Sequence, residues 1–249
     1  MTLWRLEWLR LARTRRLLTI LAVYAFFGLT GPLTARYVGE ILRAVGTEGV
    51  QVTFPEPTPA DGIAQFVGNA SQIGLLVVTM VAASALAFDA RREMSVFLRT
   101  RLTSVRPVVL TAYAVNAAAA VGGFALGTAC AWYETAVLIG APPAGSMLIG
   151  VAYGSVFLAF AVALVALVAA LVRGVLPTAG VALVLLLLTG VAGGLAGISR
   201  WLPTGLLTAL ADLTAGRPAT DFLPGLVITV VLTAAALGGA VLLGDRREV

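Results

Sequence analysis

Six long stretches of this chain carry no formal charge, and its arginines gather in the gaps between them on alternate sides. The stretches run over residues 17–35, 62–88, 107–133, 136–172, 174–199 and 222–244. A helix needs about 20 apolar residues to cross a hydrocarbon core about 30 Å thick, and each stretch is long enough. The second opens with polar residues, so its membrane crossing is expected to start near Phe66. The fourth is broken by Pro142-Pro143, so its crossing is expected to start near Met147. No ten-residue rhythm of alternating polarity points to a membrane barrel. Only 12% of the 249 residues are charged, against about 25% in an ordinary soluble domain. The reading is an all-α, polytopic membrane protein: six transmembrane helices in a single domain over residues 1–249.

Every basic residue is arginine. With six spans, Arg5, Arg10, Arg13, Arg15, Arg16, Arg91, Arg92, Arg99, Arg101, Arg106, Arg173, Arg246 and Arg247 share one side. Arg36, Arg43, Arg200 and Arg217 share the other. The positive-inside rule makes the first side cytoplasmic and puts both termini there. Five arginines precede the first stretch and no A-x-A-like cleavage site clearly follows it, so it reads as a retained span, not a signal peptide. The formal charge of +5 is then a set of inner-surface loops facing anionic headgroups, not a nucleic-acid surface. The wealth of Ala, Val, Leu and Gly without lysine suggests a GC-rich bacterial genome.

What is missing removes several chemistries. There is no histidine and one cysteine, so a Cys/His metal cluster, an internal disulfide and axial haem histidines all drop out. Cys130 reads as a small buried hydrophobe. Without lysine there is no P-loop, so any use of ATP would need a second polypeptide. No catalytic residue and no bound cofactor is expected.

Residues 1–16, MTLWRLEWLRLARTRR, read as an interfacial helix. Trp4, Trp8 and Leu11 fall on one face, with Arg10 and Arg13 placed to reach phosphates. This helix is either an anchor or an elbow that passes force from a partner. The external stretch from Arg36 to Asp61, with prolines at 55, 57 and 59, is expected to be extended or irregular. Gln65, Asn69 and Gln72 share a face at i, i+4, i+7 spacing. An amide stripe facing lipid is costly, so with Asn116 these residues are either candidates for lining a pathway or interhelical hydrogen-bonding groups. The G-x-x-x-G pairs 123/127, 150/154, 190/194 and 193/197 allow close helix approach.

The cytoplasmic segment 89–106 sets Met94, Phe97, Leu98 and Val105 on or near one side of a helix, interrupted by Arg101 and edged by Arg91, Arg92 and Arg99. A basic inner loop can be mere topology, but an apolar strip on it suits docking into a groove on a partner. Residues 200–221 read as a short external helix at or in the outer leaflet, with Leu206, Leu207 and Leu210 as its apolar face.

In this order the parts resemble the permease subunit of type-2 ATP-binding-cassette transporters, the bacterial exporter class. The resemblance rests on WRLEWLRLARTRR at the start, FDARREMSVFLRTRLTSVRPVVLTAY after the second span and WLPTGLLTALADLTAGRP before the last. In the loop, Glu93, Phe97-Leu98 and Ser104-Val105-Arg106 stand where the family has an acid, a hydrophobic stretch and a short turn. Pro107 and Tyr113 depart from that pattern. The resemblance implies an ATPase-coupling role for Glu93, Met94, Phe97, Leu98, Arg101 and Val105. It also implies a cytoplasmic ATPase subunit holding ATP and Mg, a second permease of the same or a different kind, and surrounding membrane lipids. No nucleic-acid partner is expected. The competing classes are an ATP-independent secondary transporter or channel, and a non-catalytic membrane assembly or immunity subunit. The near absence of intramembrane ionisable groups argues against the secondary transporter.

Overall fold

The computed structural model describes residues 3–45, 56–87, 106–193 and 199–246. Every regular element among them is helical. A short helix α1 (Leu3–Arg13) leads into the first span, α2 (Arg16–Val45). The second span is α3 (Pro59–Asn69), a π turn (Ala70–Gly74) and α4 (Leu75–Leu86) in one continuous rod. Spans three, four and five are α5 (Arg106–Leu138), α6 (Ala144–Leu171) and α7 (Val175–Ala192). A 3-10 turn (Ser199–Trp201), helix α8 (Thr204–Thr214) and a second 3-10 turn (Ala219–Phe222) precede the last span, α9 (Leu223–Arg246). Six of these helical rods are long and apolar enough to cross a membrane. The chain is a multi-pass membrane protein.

The boundaries follow local chemistry. Pro143 caps α6, and Gly174 at φ +101° turns the chain into α7, a conformation glycine adopts without a Cβ clash. At α3 the N–H of Thr58 donates to Asp61 Oδ2 at 2.8 Å and its hydroxyl donates to the same oxygen at 2.7 Å, with Pro59 in the first turn. The second helix starts at Pro59, because this cap fixes its start. One expectation needs correction here: α2 runs on to Val45, so the first ten residues of the stretch from Arg36 to Asp61 are helical. Nothing in AlaArgTyrValGlyGluIleLeuArgAla forbids helix once the chain has left the bilayer, and at 1.5 Å per residue α2 is about 45 Å long, against about 30 Å of hydrocarbon.

Span four is the axis of the bundle. It packs against α9, α8, α5, α4 and α7, and Phe157, Leu158, Val162 and Val165 along it are fully buried. Spans five and six lie outside it with most of their surface open, as Leu176, Leu187, Val191, Val227 and Val231 show. In a bilayer those faces meet lipid or another protein, so their exposure carries no penalty in water.

Spans one and three form the tightest pair. A Cβ added at Gly127 would lie 2.6 Å from the Tyr24 carbonyl oxygen, and one at Gly123 would lie 2.6 Å from Ile20 Cγ2. The 123/127 glycine pair therefore works inside the subunit. So does 150/154, since a Cβ at Gly150 would lie 2.6 Å from Leu210 Cα and one at Gly154 would meet the Phe124 ring. Gly190 faces open space, and residues 194 and 197 lie outside the described residues. Phe124 closes the junction: it stacks on Phe66 at 6.0 Å and meets Tyr24 edge-on at 6.1 Å, joining spans one, two and three. The Tyr24 hydroxyl in this cluster is buried without a hydrogen-bond partner.

Two outcomes follow. Gly127→Ala should destabilise the chain by about 1–3 kcal/mol, because backbone atoms must separate. Gly122→Ala, whose Cβ meets nothing within 4 Å, should be neutral or stabilising by up to about 1 kcal/mol. Tyr24→Phe should hold or raise stability, since it removes an unpaired buried hydroxyl, whereas Tyr24→Ala should cost about 3–5 kcal/mol. Thermal unfolding in a fixed detergent reads all four.

Candidate functional site

Helix α1 is clamped on one side and open on the other. Leu11 is 3% exposed against the bundle, while Trp4 and Trp8 project outward at 50% and 40%. Arg10 pairs with Glu7 at 3.5 Å, and Arg13 is exposed. The helix packs against α5 and α2. Between α1 and α2, Arg15 takes φ +59°, a left-handed conformation that costs a non-glycine residue about 1–2 kcal/mol. That bend takes α1 off the axis of the first span. The arrangement leaves two tryptophans exposed on one short helix, and indoles favour the membrane interface.

Glu93, Met94, Phe97, Leu98, Arg101 and Val105 lie outside the described residues. What the structure shows is where that segment delivers the chain: into Arg106, the first residue of α5, the same helix that α1 packs against.

The four amides separate into three environments. Gln65 is exposed and lines a cleft of about 540 Å³ between the C-terminal end of span one and the start of span two, with Arg36, Glu40, Glu56 and Asp61. Asn69 is half-buried. Gln72 is exposed and lines a different, larger cleft. Asn116 is buried in the middle of α5, where Nδ2 donates to the Ala112 carbonyl at 2.8 Å and Oδ1 has no partner. The π turn at Ala70–Gly74 parts Gln65 from Gln72. A constant 3.6-residue period would align i with i+7, but the wider turn between them shifts the downstream half of the span around its axis. The same shift gives the span two sets of neighbours: α3 packs on α2 and α8, and α4 on α6 and α7.

The larger cleft measures about 880 Å³. Leu75 and Gln72 of span two, Phe157 of span four and Leu186, Leu187 and Val191 of span five form its walls. Helix α8 roofs it. Leu206, Leu207, Leu210 and Leu213 of α8 are buried, and the helix rests on α6 and α3, so it caps the N-terminal end of span four. Tyr153 of span four ties this roof to the sixth span by donating to the Ala219 carbonyl at 3.0 Å, and its ring lies 5.7 Å from that of Phe222. Arg200, Arg217, Asp212 and Asp221 stand at the rim. Arg217 and Asp212 pair at 3.3 Å; both are substantially exposed, so the pair adds little to stability. The sequence had offered only an external apolar helix here. The pocket forms because residues 72, 157, 187 and 206 converge from four elements, which no local spacing reveals.

The cleft offers apolar walls and a charged rim. Among the described residues no group of three His, Cys, Asp or Glu side chains is placed to hold a metal.

A Gln72→Cys chain in a Cys130→Ala background should react with a membrane-impermeant maleimide added from the outer side. Asn116→Cys in the same background should react at least about tenfold more slowly, because it is buried. Labelling followed by mass measurement checks both.

Comparison with known proteins is spare. No protein-family model matches the chain, and no solved structure does. Over 140 residues it is 21% identical to the uncharacterized transmembrane protein YxlG of Bacillus subtilis (strain 168), covering 55% of this chain. The chain spans about half the length of that curated relative, 54%.

Proposed function

We propose that this chain is the membrane-spanning permease subunit of a type-2 ATP-binding-cassette exporter in a bacterial cytoplasmic membrane. One observation carries the reading. The leading helix α1 and the segment 89–106 converge on α5, the first by packing and the second by chain connection. A partner seated on the segment would then push α1 and span three together. The outer helical cap before the last span and the cleft beneath it supply the other half of such a device, a chamber at the far side of the membrane.

In this reading the ATPase is a separate cytoplasmic subunit that binds ATP and Mg. It docks under Met94, Phe97, Leu98 and Val105, with Glu93 and Arg101 at the edge of the contact. Spans two and five, with Gln72 and the exposed face of α7, meet a second permease. Nucleotide drives transport only by binding one access state better than the other.

The test is a purification. Tagged chain drawn from its native membrane should bring with it a polypeptide bearing a P-loop lysine. Phe97→Asp should leave insertion intact while ATP-dependent transport falls by about tenfold or more, a loss within the range of ordinary coupling energies. Solute movement by the chain alone in lipid vesicles, with no nucleotide-binding companion, would overturn the reading in favour of a self-sufficient transporter or channel.

A further inference from the structure

The larger cleft has a charge pattern that the permease reading does not use. The turn Ser199–Trp201 packs against the turn Ala219–Phe222, and a Cβ at Gly225 would lie 3.2 Å from the Arg200 carbonyl oxygen. Arg200 and Asp221 are thus brought to the same stretch of rim, one turn of chain from Gly225. Yet they form no ion pair, and among the described residues neither has an ion-pair partner; Arg200 instead lies 5.7 Å from the Trp201 ring. Arg217 and Asp212, by contrast, are already paired with each other. So the rim carries one cation and one anion with no ion-pair partner among the described residues, on two turns that touch, above walls of leucine, phenylalanine and valine.

Opposite charges held near each other but apart suit a ligand that itself carries separated opposite charges. An anion alone would find Asp221 repulsive, and a cation alone would find Arg200 so. The walls below need an apolar ligand to displace water. The cleft stands beside α7, whose Leu187 and Val191 are 60% and 75% exposed, so in the free chain its side is open along an apolar face. Its volume lies within the range of about 300–1,000 Å³ typical of small-molecule sites.

The geometry points to a binding site for a zwitterionic phospholipid. The phosphate sits at Arg200, the ammonium at Asp221, and an acyl chain lies between spans two and five along Leu75, Leu186 and Leu187. That this lipid is also the cargo rests on the permease reading above; its binding does not, because it needs only this chain.

The experiment uses the full-length chain in detergent, without any ATPase, and native mass spectrometry as the readout. The probes are lysophosphatidylethanolamine, lysophosphatidylglycerol and a neutral alkyl maltoside of matched chain length. Water-soluble phosphoethanolamine serves as a headgroup without a tail. Lysophosphatidylethanolamine should bind at least about tenfold more tightly than the other three. Arg200→Gln and Asp221→Asn should each remove about tenfold of that affinity, in line with the loss of one charge-assisted contact. Asp221→Asn should in addition turn the preference toward lysophosphatidylglycerol. Arg36→Gln, at the other cleft, should change nothing, and unfolding temperatures of the rim variants should match the parent. Equal binding of all three amphiphiles, or zwitterion binding that survives both rim substitutions, overturns the assignment while leaving ATPase coupling untouched. Tight binding of free phosphoethanolamine would also overturn it, since the apolar walls would then contribute nothing.

Discussion

In the hydrocarbon of a bilayer there is no water to satisfy a backbone and no hydrophobic gain in bringing two greasy helices together. What holds six spans in one arrangement is close packing, and here it converges on α6. That helix touches the second, third, fifth and sixth spans and carries α8 on its N-terminal end. Its partners reach it through small residues: Gly150 lets the α8 backbone down onto it and Gly154 admits the Phe124 ring. The cleft exists because α8 is pinned to span four by these contacts and cannot sink into the gap between spans two and five.

The second tight junction, spans one and three, has another consequence. At Gly127 the third span comes down onto the backbone of the first, and at Gly123 onto the Ile20 side chain. The leading helix is attached to this pair by Leu11 and by packing on α5. Spans five and six keep more of their surface open, although span six packs along much of span four. The bundle therefore has a closely packed part around spans one and three, and a part with more open surface around the larger cleft.

Much of the fold was legible because membrane solvation imposes a coarse rule. Uncharged runs of about 20 residues must be helices, and Pro142-Pro143 and Arg173-Gly174 interrupt them where the structure interrupts them. The misses have physical causes. The helix over residues 36–45 was hidden because its residues are ordinary helix formers outside the bilayer, where hydropathy says nothing. The helix start at Pro59, by contrast, carries a local signal: Thr58-Pro59-Ala60-Asp61 is a capping box with proline in the first turn. The π turn had none, since Ala-Ser-Gln-Ile-Gly reads as continuous helix. The rim pair Arg200 and Asp221, 21 positions apart, comes together only through the packing of two 3-10 turns. The segment holding Phe97 and Leu98 lies outside the described residues, so its proposed role still stands on the pattern alone.

The π turn in the second span bears on how such a helix tolerates change. Its two halves obey different phase, each matched to its own neighbours, and the widened turn is the joint that reconciles them. A single-residue deletion there would restore an ordinary winding and spin one half out of step with whatever it touches. Substitution of an exposed side chain in either half leaves that phase untouched, whereas a change in the count of residues between the two ends does not.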